Sequence, residues 1–241
     1  MNRLTAQVKE KLSVLRLKAV LFDMDGVIFD SMPHHAVAWV KAFADEGIDF
    51  NEYEAYKREG MTGVATIQEM FLAQKGREAT AEECDRIYAT KCRYFEQEGP
   101  AGVMAGIRDV LEFVRDAGLQ IYIVTGSGQH SLFEKLDSLF PGIFAPERMV
   151  TAYDVKKGKP DPEPYLMALK KGGFSADEAI VVENAPLGVT AAHAAKIFTV
   201  AVNTGILLPE DLLSKGADVL FDDMYEFRSA LPEMVDLGLK K

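Results

Sequence analysis

Short apolar runs alternate with stretches of helical periodicity along most of this chain. The apolar runs lie at residues 18–22, 119–124, 179–182, 198–202 and 219–221, with a shorter one at 148–152. Runs of this length are typical of strands that are buried on both faces of a parallel sheet. Helical patterns fill the intervals, so we predict an α/β fold with a Rossmann-like, mostly parallel sheet and helices on both faces.

The alternation is interrupted between the first apolar run and residue 99. Residues 34–46 have helical periodicity, and residues 50–99 continue as further helices without a strand-like run. Thr80 and Glu83 match the capping-box pattern and begin the last of these helices. Strands and helices alternate again from residue 100. We therefore expect a discontinuous α/β core, residues 1–31 and 99–241, with an all-helical cap domain inserted at residues 32–98.

Composition narrows the classes of partner. The 241 residues include 27 Lys and Arg against 37 Asp and Glu, a formal net charge of −10. Such a balance argues against nucleic acid or an anionic membrane as partner, although a few lysines in one cleft could still hold a small anion. Residues 1–16 lack the features of a secretion signal, and no apolar run is long enough to span a bilayer. We expect a cytoplasmic monomer.

Polar side chains follow three of the predicted strands. Asp23 and Asp25 come after the first, Thr125 after the second, and Glu183 with Asn184 after the third. Because ligands of parallel sheets bind beyond the carboxyl ends of the strands, these side chains are expected to converge on one crevice. Two adjacent carboxylates repel each other, and a divalent cation removes that cost. A site lined by a few such oxygens suits Mg²⁺.

The remaining polar groups suit a phosphate. Thr125, Gly126 and Ser127 offer a hydroxyl and backbone N–H groups at a strand-to-helix junction, and Lys159 offers a cation held by the proline that follows it. Each piece alone is more commonly a solvated loop, a helix cap or a surface lysine. Together they predict Mg²⁺-dependent phosphoryl transfer, in which a carboxylate attacks phosphorus and an aspartyl-phosphate forms.

These motifs resemble those of the haloacid dehalogenase superfamily, most closely its β-phosphoglucomutase-like branch, which has a helical cap. The resemblance extends from residue 18 over nearly all of the chain. It implies that Asp23 is the nucleophile and Asp25 the general acid/base, with Thr125 and Lys159 as the second and third motifs. Asp23, Asp25, Thr125 and Lys159 are thus the predicted catalytic residues.

The resemblance also implies a metal site, formed by the Asp23 carboxylate, the Asp25 backbone carbonyl and Asn184, with Glu183 beside them. Asn184 stands where the family usually has an aspartate, so one negative charge is missing. Mg²⁺ is expected to bind more weakly unless Glu183 compensates.

The cap carries the predicted substrate contacts. His35 resembles a hinge histidine that gates the acid/base aspartate, and Lys91 resembles a cap lysine that reaches the active site. Replacing Lys91 by alanine is therefore expected to affect the true substrate more than p-nitrophenyl phosphate. The mutases of this branch also have a loop arginine that grips a second phosphate; Gly63 stands in its place here, and Arg58 is a candidate replacement. The predicted substrate-binding residues are His35, Gly60, Thr62, Lys91, Gly126, Ser127 and Gln129.

Several functions remain open at this level. The first is a phosphatase that acts on a small phosphorylated metabolite such as a sugar phosphate. The second is a β-phosphoglucomutase, an isomerase that works through a 1,6-bisphosphate, and the third is an inorganic pyrophosphatase. A non-enzymatic ligand-binding protein is disfavoured because Asp23 and Lys159 are both present, and Asp25 with Gly126 fits phosphoryl chemistry better than dehalogenation.

Overall fold

The protein is described by a computed structural model that covers residues 4–126 and 132–239. Its strands are β1 Ala19–Phe22, β2 Phe29–Asp30, β3 Gly102–Val103, β4 Gln120–Val124, β5 Met149–Val150, β6 Ala179–Glu183, β7 Phe198–Val202 and β8 Val219–Phe221. Its α-helices are α1 Ala6–Ser13, α2 Met32–Ala44, α3 Glu52–Lys57, α4 Gly63–Lys75, α5 Ala81–Gln97, α6 Ile107–Asp116, α7 Leu132–Leu139, α8 Glu163–Gly172, α9 Pro186–Ala194, α10 Pro209–Leu213 and α11 Met224–Gly238.

Six strands form one parallel sheet in the order β5-β4-β1-β6-β7-β8. Side chains alternate between its faces, as the pleat requires. Val20 and Phe22 of β1 pack into a cluster with α1, α6 and α11, whereas Ala19 and Leu21 pack into a cluster with α8 and α9. The predicted α/β fold with a Rossmann-like parallel sheet is confirmed.

The register of the sheet brings three strand ends together. Phe22, the last residue of β1, lies opposite Ile123 of β4 and Val182 of β6. The chain therefore leaves β1, β4 and β6 at nearly the same level of the sheet edge. Because β1 lies between the other two, the residues after Phe22 are flanked by the loops that follow both neighbours.

Helices α2–α5, which we call the cap helices, lie between β2 and β3. These two short strands pair antiparallel, with Phe29 opposite Val103 and Asp30 opposite Gly102, so the chain enters and leaves the cap helices through one two-stranded ribbon. The cap helices pack around an apolar cluster that includes Phe43, Ile67, Phe71 and Ile87 and continues into the core through residues such as Leu207 and Leu212. The predicted capping box is present, since the Thr80 side chain accepts from Glu83 N at 3.2 Å and Glu83 Oε2 accepts from Thr80 N at 2.8 Å.

Several boundaries differ from the predicted ones. α2 begins at Met32 rather than at residue 34, and α8 begins at Glu163 rather than at residue 165. In both cases a proline lies in the first turn, where its missing N–H costs nothing. The strand expected over residues 148–152 is reduced to β5, and the helix expected from residue 129 is described only from Leu132. Among the residues covered, no helix combines the length and apolar character needed to cross a bilayer.

Candidate active site

Asp23 lies at the end of β1, in the centre of the sheet edge. Its backbone N–H donates to Val182 O at 3.0 Å, which fixes the start of the loop against β6. Its carboxylate is 7% exposed and forms an ion pair through Oδ1 with the Lys159 ammonium. The pKa of Asp23 is raised to about 8, chiefly by burial and further by the negative charges of Glu183 and Asp25. The Lys159 ammonium opposes these effects only in part.

Lys159 reaches the same place from the loop before α8 and is only 5% exposed. Its ammonium donates to Asp23 Oδ1, to Glu183 Oε1 at 2.6 Å and to the carbonyl oxygen of Val124 at 3.2 Å. All three ammonium protons are therefore directed at acceptors. Burial alone would lower the pKa of Lys159, but the two carboxylates raise it above its ordinary value, so the side chain is a fixed cation.

Glu183 is fully buried at the end of β6 and accepts four hydrogen bonds. Oε1 accepts from Lys159 Nζ at 2.6 Å and from the hydroxyl of Tyr165 at 2.6 Å. Oε2 accepts from the backbone N–H groups of Asn184 at 3.0 Å and Ala185 at 3.2 Å. Tyr165 did not emerge from the sequence, where it reads as one more apolar residue of a helix. Both oxygens of Glu183 thus serve to orient the lysine and the following loop.

Asn184 contacts Glu59, a residue of the loop between α3 and α4 that the sequence did not single out. Asn184 Nδ2 donates to Glu59 Oε2 at 2.8 Å, and both side chains are buried. Within the described part of the chain, their other oxygens, Asn184 Oδ1 and Glu59 Oε1, are buried without a hydrogen-bond partner. Burial, followed by the charge of Asp23, raises the pKa of Glu59 well above its ordinary value. Glu59 belongs to no motif, so only the folded contact reveals it.

Gly26 allows this approach. It has φ +76°, and a β-carbon there would lie 2.0 Å from Asn184 Nδ2. Any larger residue at this position would push Asn184 out of place.

The oxygens gathered here fit a hard divalent cation. Asn184 Oδ1 and Glu59 Oε1 are buried with no donor among the residues that the structure describes, and an oxygen-only set suits Mg²⁺. Within residues 4–126 and 132–239, no three His, Cys, Asp or Glu side chains form a metal-type cluster by themselves. A deprotonated Glu59 would supply the negative charge that Asn184 lacks.

Asp25 is held by a chain of contacts that leads into the cap helices. Ser31 Oγ donates to Asp25 Oδ1 at 2.6 Å, and His35 Nε2 lies 3.6 Å from the same oxygen. His35 Nδ1 is 2.7 Å from Lys91 Nζ, and its ring stacks on Phe95 with 4.3 Å between centroids. Burial alone would raise the pKa of Asp25, but His35 and Ser31 bring it below its ordinary value. Lys91 is buried behind His35, and burial lowers its pKa.

The loop that precedes α4 lies against the core. A β-carbon at Gly60, which has φ +85°, would lie 3.4 Å from Lys159 Cδ, and one at Gly126 would lie 3.9 Å from the Gly60 carbonyl oxygen. Gly60 and Gly126 therefore face each other across the candidate site. Thr62 is the N-cap of α4, and its hydroxyl accepts from Ala65 N at 3.2 Å. That hydroxyl already has a structural partner.

The suggested replacement for the loop arginine is not supported. Arg58 donates to Glu54, and to Glu69 Oε1 at 2.8 Å, so its guanidinium is held by the cap helices. Gly63 is also turned away from the core, since a β-carbon there would lie 2.3 Å from the ring of Tyr88. A side chain at position 63 would start toward α5 rather than toward Lys159.

The second motif is only partly described. Thr125 is buried at 4% exposure directly after β4, and its N–H donates to Val150 O at 2.9 Å. Ser127 and Gln129, predicted as substrate-binding residues, lie outside the described residues.

Comparisons with known proteins identify the family of this chain. A family model of haloacid dehalogenase-like hydrolases matches residues 17–196. Hexitol phosphatase A of Escherichia coli (strain K12) is 33% identical over 189 residues, which cover 78% of this chain and 84% of that protein. The phosphorylated carbohydrates phosphatase of Thermotoga maritima is 29% identical over 184 residues, with 75% of this chain and 82% of the relative covered.

A solved structure extends the similarity to almost the whole chain. A Bacteroides vulgatus protein, provisionally assigned as a β-phosphoglucomutase, superposes with a TM-score of 0.91 and 47% identity, covering 98% of this chain and 99% of its own. The family model spans well over half of the sequence, including the segments that contain Asp23, Lys159 and Glu183. The chain is therefore an enzyme that belongs to the haloacid dehalogenase-like hydrolases, as its motifs predicted.

Proposed function

We propose that the chain is a Mg²⁺-dependent phosphatase that forms an aspartyl-phosphate on Asp23. The observation that supports this most is the buried Lys159 ammonium, which bridges Asp23 and Glu183 at the ends of adjacent strands. Phosphoryl transfer depends mainly on positioning and charge neutralisation, and this arrangement supplies a carboxylate nucleophile beside a fixed cation. Mg²⁺ held by Asp23, the Asp25 carbonyl, Asn184 and Glu59 would neutralise oxygens of the transferring phosphoryl group.

Two proton transfers accompany the reaction. In the first half, a carboxylate oxygen of Asp23 bonds to phosphorus as the bond to the leaving oxygen breaks, and Asp25 gives its proton to that oxygen. In the second half, Asp25 accepts a proton from water while the water oxygen attacks phosphorus and frees Asp23. Ser31 and His35 lower the pKa of Asp25 and so favour its proton-accepting form. Lys159 remains protonated throughout.

The proposed substrate is a small phosphorylated metabolite, in particular a sugar phosphate. Two relatives are named hexitol phosphatase A and phosphorylated carbohydrates phosphatase. A mutase must also grip a second phosphate. Arg58 is held by Glu54 and Glu69, and Lys91 contacts His35, so neither cation is free for that purpose.

We further propose that residues 32–98 act as a cap domain on the core formed by 1–31 and 99–241.

β-Phosphoglucomutase is the second candidate, because the Bacteroides vulgatus structure with that provisional assignment is similar along nearly its entire length. One assay separates the two. Purified protein with Mg²⁺ is given a panel of sugar phosphates, nucleotides and pyrophosphate, and phosphate release is measured. In parallel it receives β-glucose 1-phosphate with a trace of the 1,6-bisphosphate, and glucose 6-phosphate is measured.

We expect phosphate release from at least one ester in the panel and no phosphate release by the Asp23→Asn variant. The circular dichroism spectrum of that variant should match that of the wild type, which would show that its fold is unchanged. Rapid formation of glucose 6-phosphate without free phosphate would assign the mutase function instead. Normal phosphate release by Asp23→Asn would show that Asp23 is not the nucleophile.

A further inference from the structure

The cap helices contact the core at a second place, away from the candidate active site. The hydroxyl of Tyr53, on α3, donates to a carboxylate oxygen of Asp211 on α10. The ring of Tyr56, one turn further along α3, packs on the backbone of Gly205, where a β-carbon would lie 2.4 Å from Tyr56 Cε1. Tyr56 also shares an apolar cluster with Leu207 and Leu212 of the core.

The core side of this contact, residues 203–213, is well anchored. Asn203 N donates to Phe221 O at 2.8 Å, which ties the segment to β8. The hydroxyl of Thr204 donates to the carbonyl oxygen of Gly26 at 2.6 Å, which ties it to the loop that contains Asp25. Asp211 Oδ2 accepts from Leu208 N at 3.0 Å. This segment therefore provides a fixed surface for α3.

α3 links this surface to the candidate active site. Tyr53 and Tyr56 are three residues apart and so lie on one face of the helix. α3 ends at Lys57, and Glu59 and Gly60 follow after the C-cap residue Arg58. Glu59 contacts Asn184, and Gly60 lies against Lys159. Over so short a distance, the orientation of α3 sets where the backbone of residues 59–60 can lie.

We propose that Tyr53 and Tyr56, docked on residues 203–213, are positioning residues that hold α3 against the core and thereby place Glu59 and Gly60 over the catalytic loops. The contacts that support this proposal are those of Tyr53 with Asp211 and of Tyr56 with Gly205, so the two tyrosines act through α3. The catalytic consequence rests on the proposed function, whereas the docking itself does not depend on it.

The contact is tested by hydrogen–deuterium exchange of the full chain without substrate. Tyr53→Phe keeps the ring and removes the hydroxyl. Gly205→Ala perturbs the Tyr56 contact from the core side. The matched control is Tyr94→Phe, because Tyr94 donates to Asp45 Oδ2 at 2.9 Å, a bond of the same type that lies wholly between α5 and the end of α2.

Tyr53→Phe is expected to speed amide exchange about tenfold in residues 58–66, since a hydrogen bond to a charged acceptor contributes about that factor to a local opening equilibrium. Gly205→Ala is expected to speed exchange in the same residues, because its β-carbon would lie 2.4 Å from Tyr56 Cε1 and displace that ring. Exchange in β1 and β6 should be unchanged. Tyr94→Phe should leave residues 58–66 as in the wild type.

Unchanged exchange of residues 58–66 in both test variants would overturn the proposal. So would an equal increase in Tyr94→Phe, because the cap helices would then be loosened as a whole. The measurement needs no turnover, so it stays informative if the phosphatase assay fails. Conversely, an active phosphatase with unchanged exchange would reject this inference alone.

Discussion

The hydroxyl of Tyr165 helps to fix Glu183, and through it Lys159, in the candidate active site. It is fully buried, and its hydroxyl donates to Glu183 Oε1, the oxygen that also accepts from Lys159. Burial raises the pKa of Tyr165 well above its ordinary value, so the hydroxyl keeps its proton. Without the Tyr165 hydroxyl, Glu183 Oε1 would keep the donor Lys159 but lose its second described donor. The ammonium would then be attracted more strongly to Glu183 than to Asp23 or a phosphoryl oxygen.

Tyr165→Phe is therefore expected to lower kcat about tenfold with little change in KM, since the loss of one hydrogen bond to a charged group has about this effect. Steady-state kinetics on the best substrate of the panel would measure it. Tyr122→Phe is the matched control, because Tyr122 is a buried tyrosine of β4 that packs on Phe174. Equal losses in the two variants would mean that Tyr165 contributes packing only.

Lys91 changes its expected role once its contacts are known. The sequence favoured a direct substrate contact, with a smaller effect on p-nitrophenyl phosphate. In the structure, Lys91 Nζ is 2.7 Å from His35 Nδ1, and His35 Nε2 lies 3.6 Å from Asp25 Oδ1. A protonated Lys91 donates to Nδ1 and so leaves the ring proton on Nε2, facing Asp25. Lys91 then acts on Asp25, whose proposed water-activating role would be common to every substrate.

Lys91→Ala should accordingly reduce kcat by a similar factor for the natural ester and for p-nitrophenyl phosphate. We expect a decrease of about tenfold, because an indirect effect on Asp25 removes only part of a typical acid–base contribution to the rate. The control is Lys41→Ala, which removes a cap lysine that pairs with Glu98 at 2.8 Å on the surface. A decrease in kcat that is confined to the natural ester would indicate instead that Lys91 contacts the substrate directly.

Among the secondary-structure elements, the ends of β1, β4 and β6 were predictable and the cap contacts were not. Buried parallel strands have a local signature, and Asp23, Thr125 and Glu183 follow directly from it. β2 and β3 are two residues each, too short for any periodic pattern. Glu59 and Tyr53 gain their importance from contacts with Asn184 and Asp211, more than 120 residues away in the chain. No local pattern encodes such pairs.

The start of α4 bears on the mutase question. Gly63 is its first residue, and a β-carbon there would lie 2.3 Å from the ring of Tyr88 on α5. Gly63→Arg should therefore send its side chain along the cap helices, displace the half-exposed Tyr88 ring and create no second phosphate grip. We expect no glucose 6-phosphate from β-glucose 1-phosphate and the 1,6-bisphosphate. Mutase activity in this variant would show that position 63 faces the substrate.

Over the whole molecule, acidic charge is concentrated where the cap helices meet the core. Asp23, Asp25, Glu59 and Glu183 converge there, and the Lys159 ammonium pairs with Asp23 and Glu183. Burial raises the pKa of Asp23 to about 8 and that of Glu59 well above its usual range. Groups whose pKa is raised on folding stabilise the protein fully below their unfolded pKa values of about 4, and this stabilisation is lost as pH rises toward the folded values.

Mg²⁺ should reverse that loss, because it replaces the protons on these carboxylates. Its binding then releases a proton from each of these carboxylates that is protonated without the metal, so the Kd for Mg²⁺ should fall by at least about tenfold per pH unit between pH 6 and pH 8. The increase in Tm on adding Mg²⁺ should be larger at pH 8 than at pH 6. Calorimetric titration and thermal melts would measure both quantities. Glu59→Gln should raise the Kd at pH 8, whereas the matched Glu98→Gln on the cap surface should not. A Tm increase that is equal at both pH values would contradict proton-linked Mg²⁺ binding at this site.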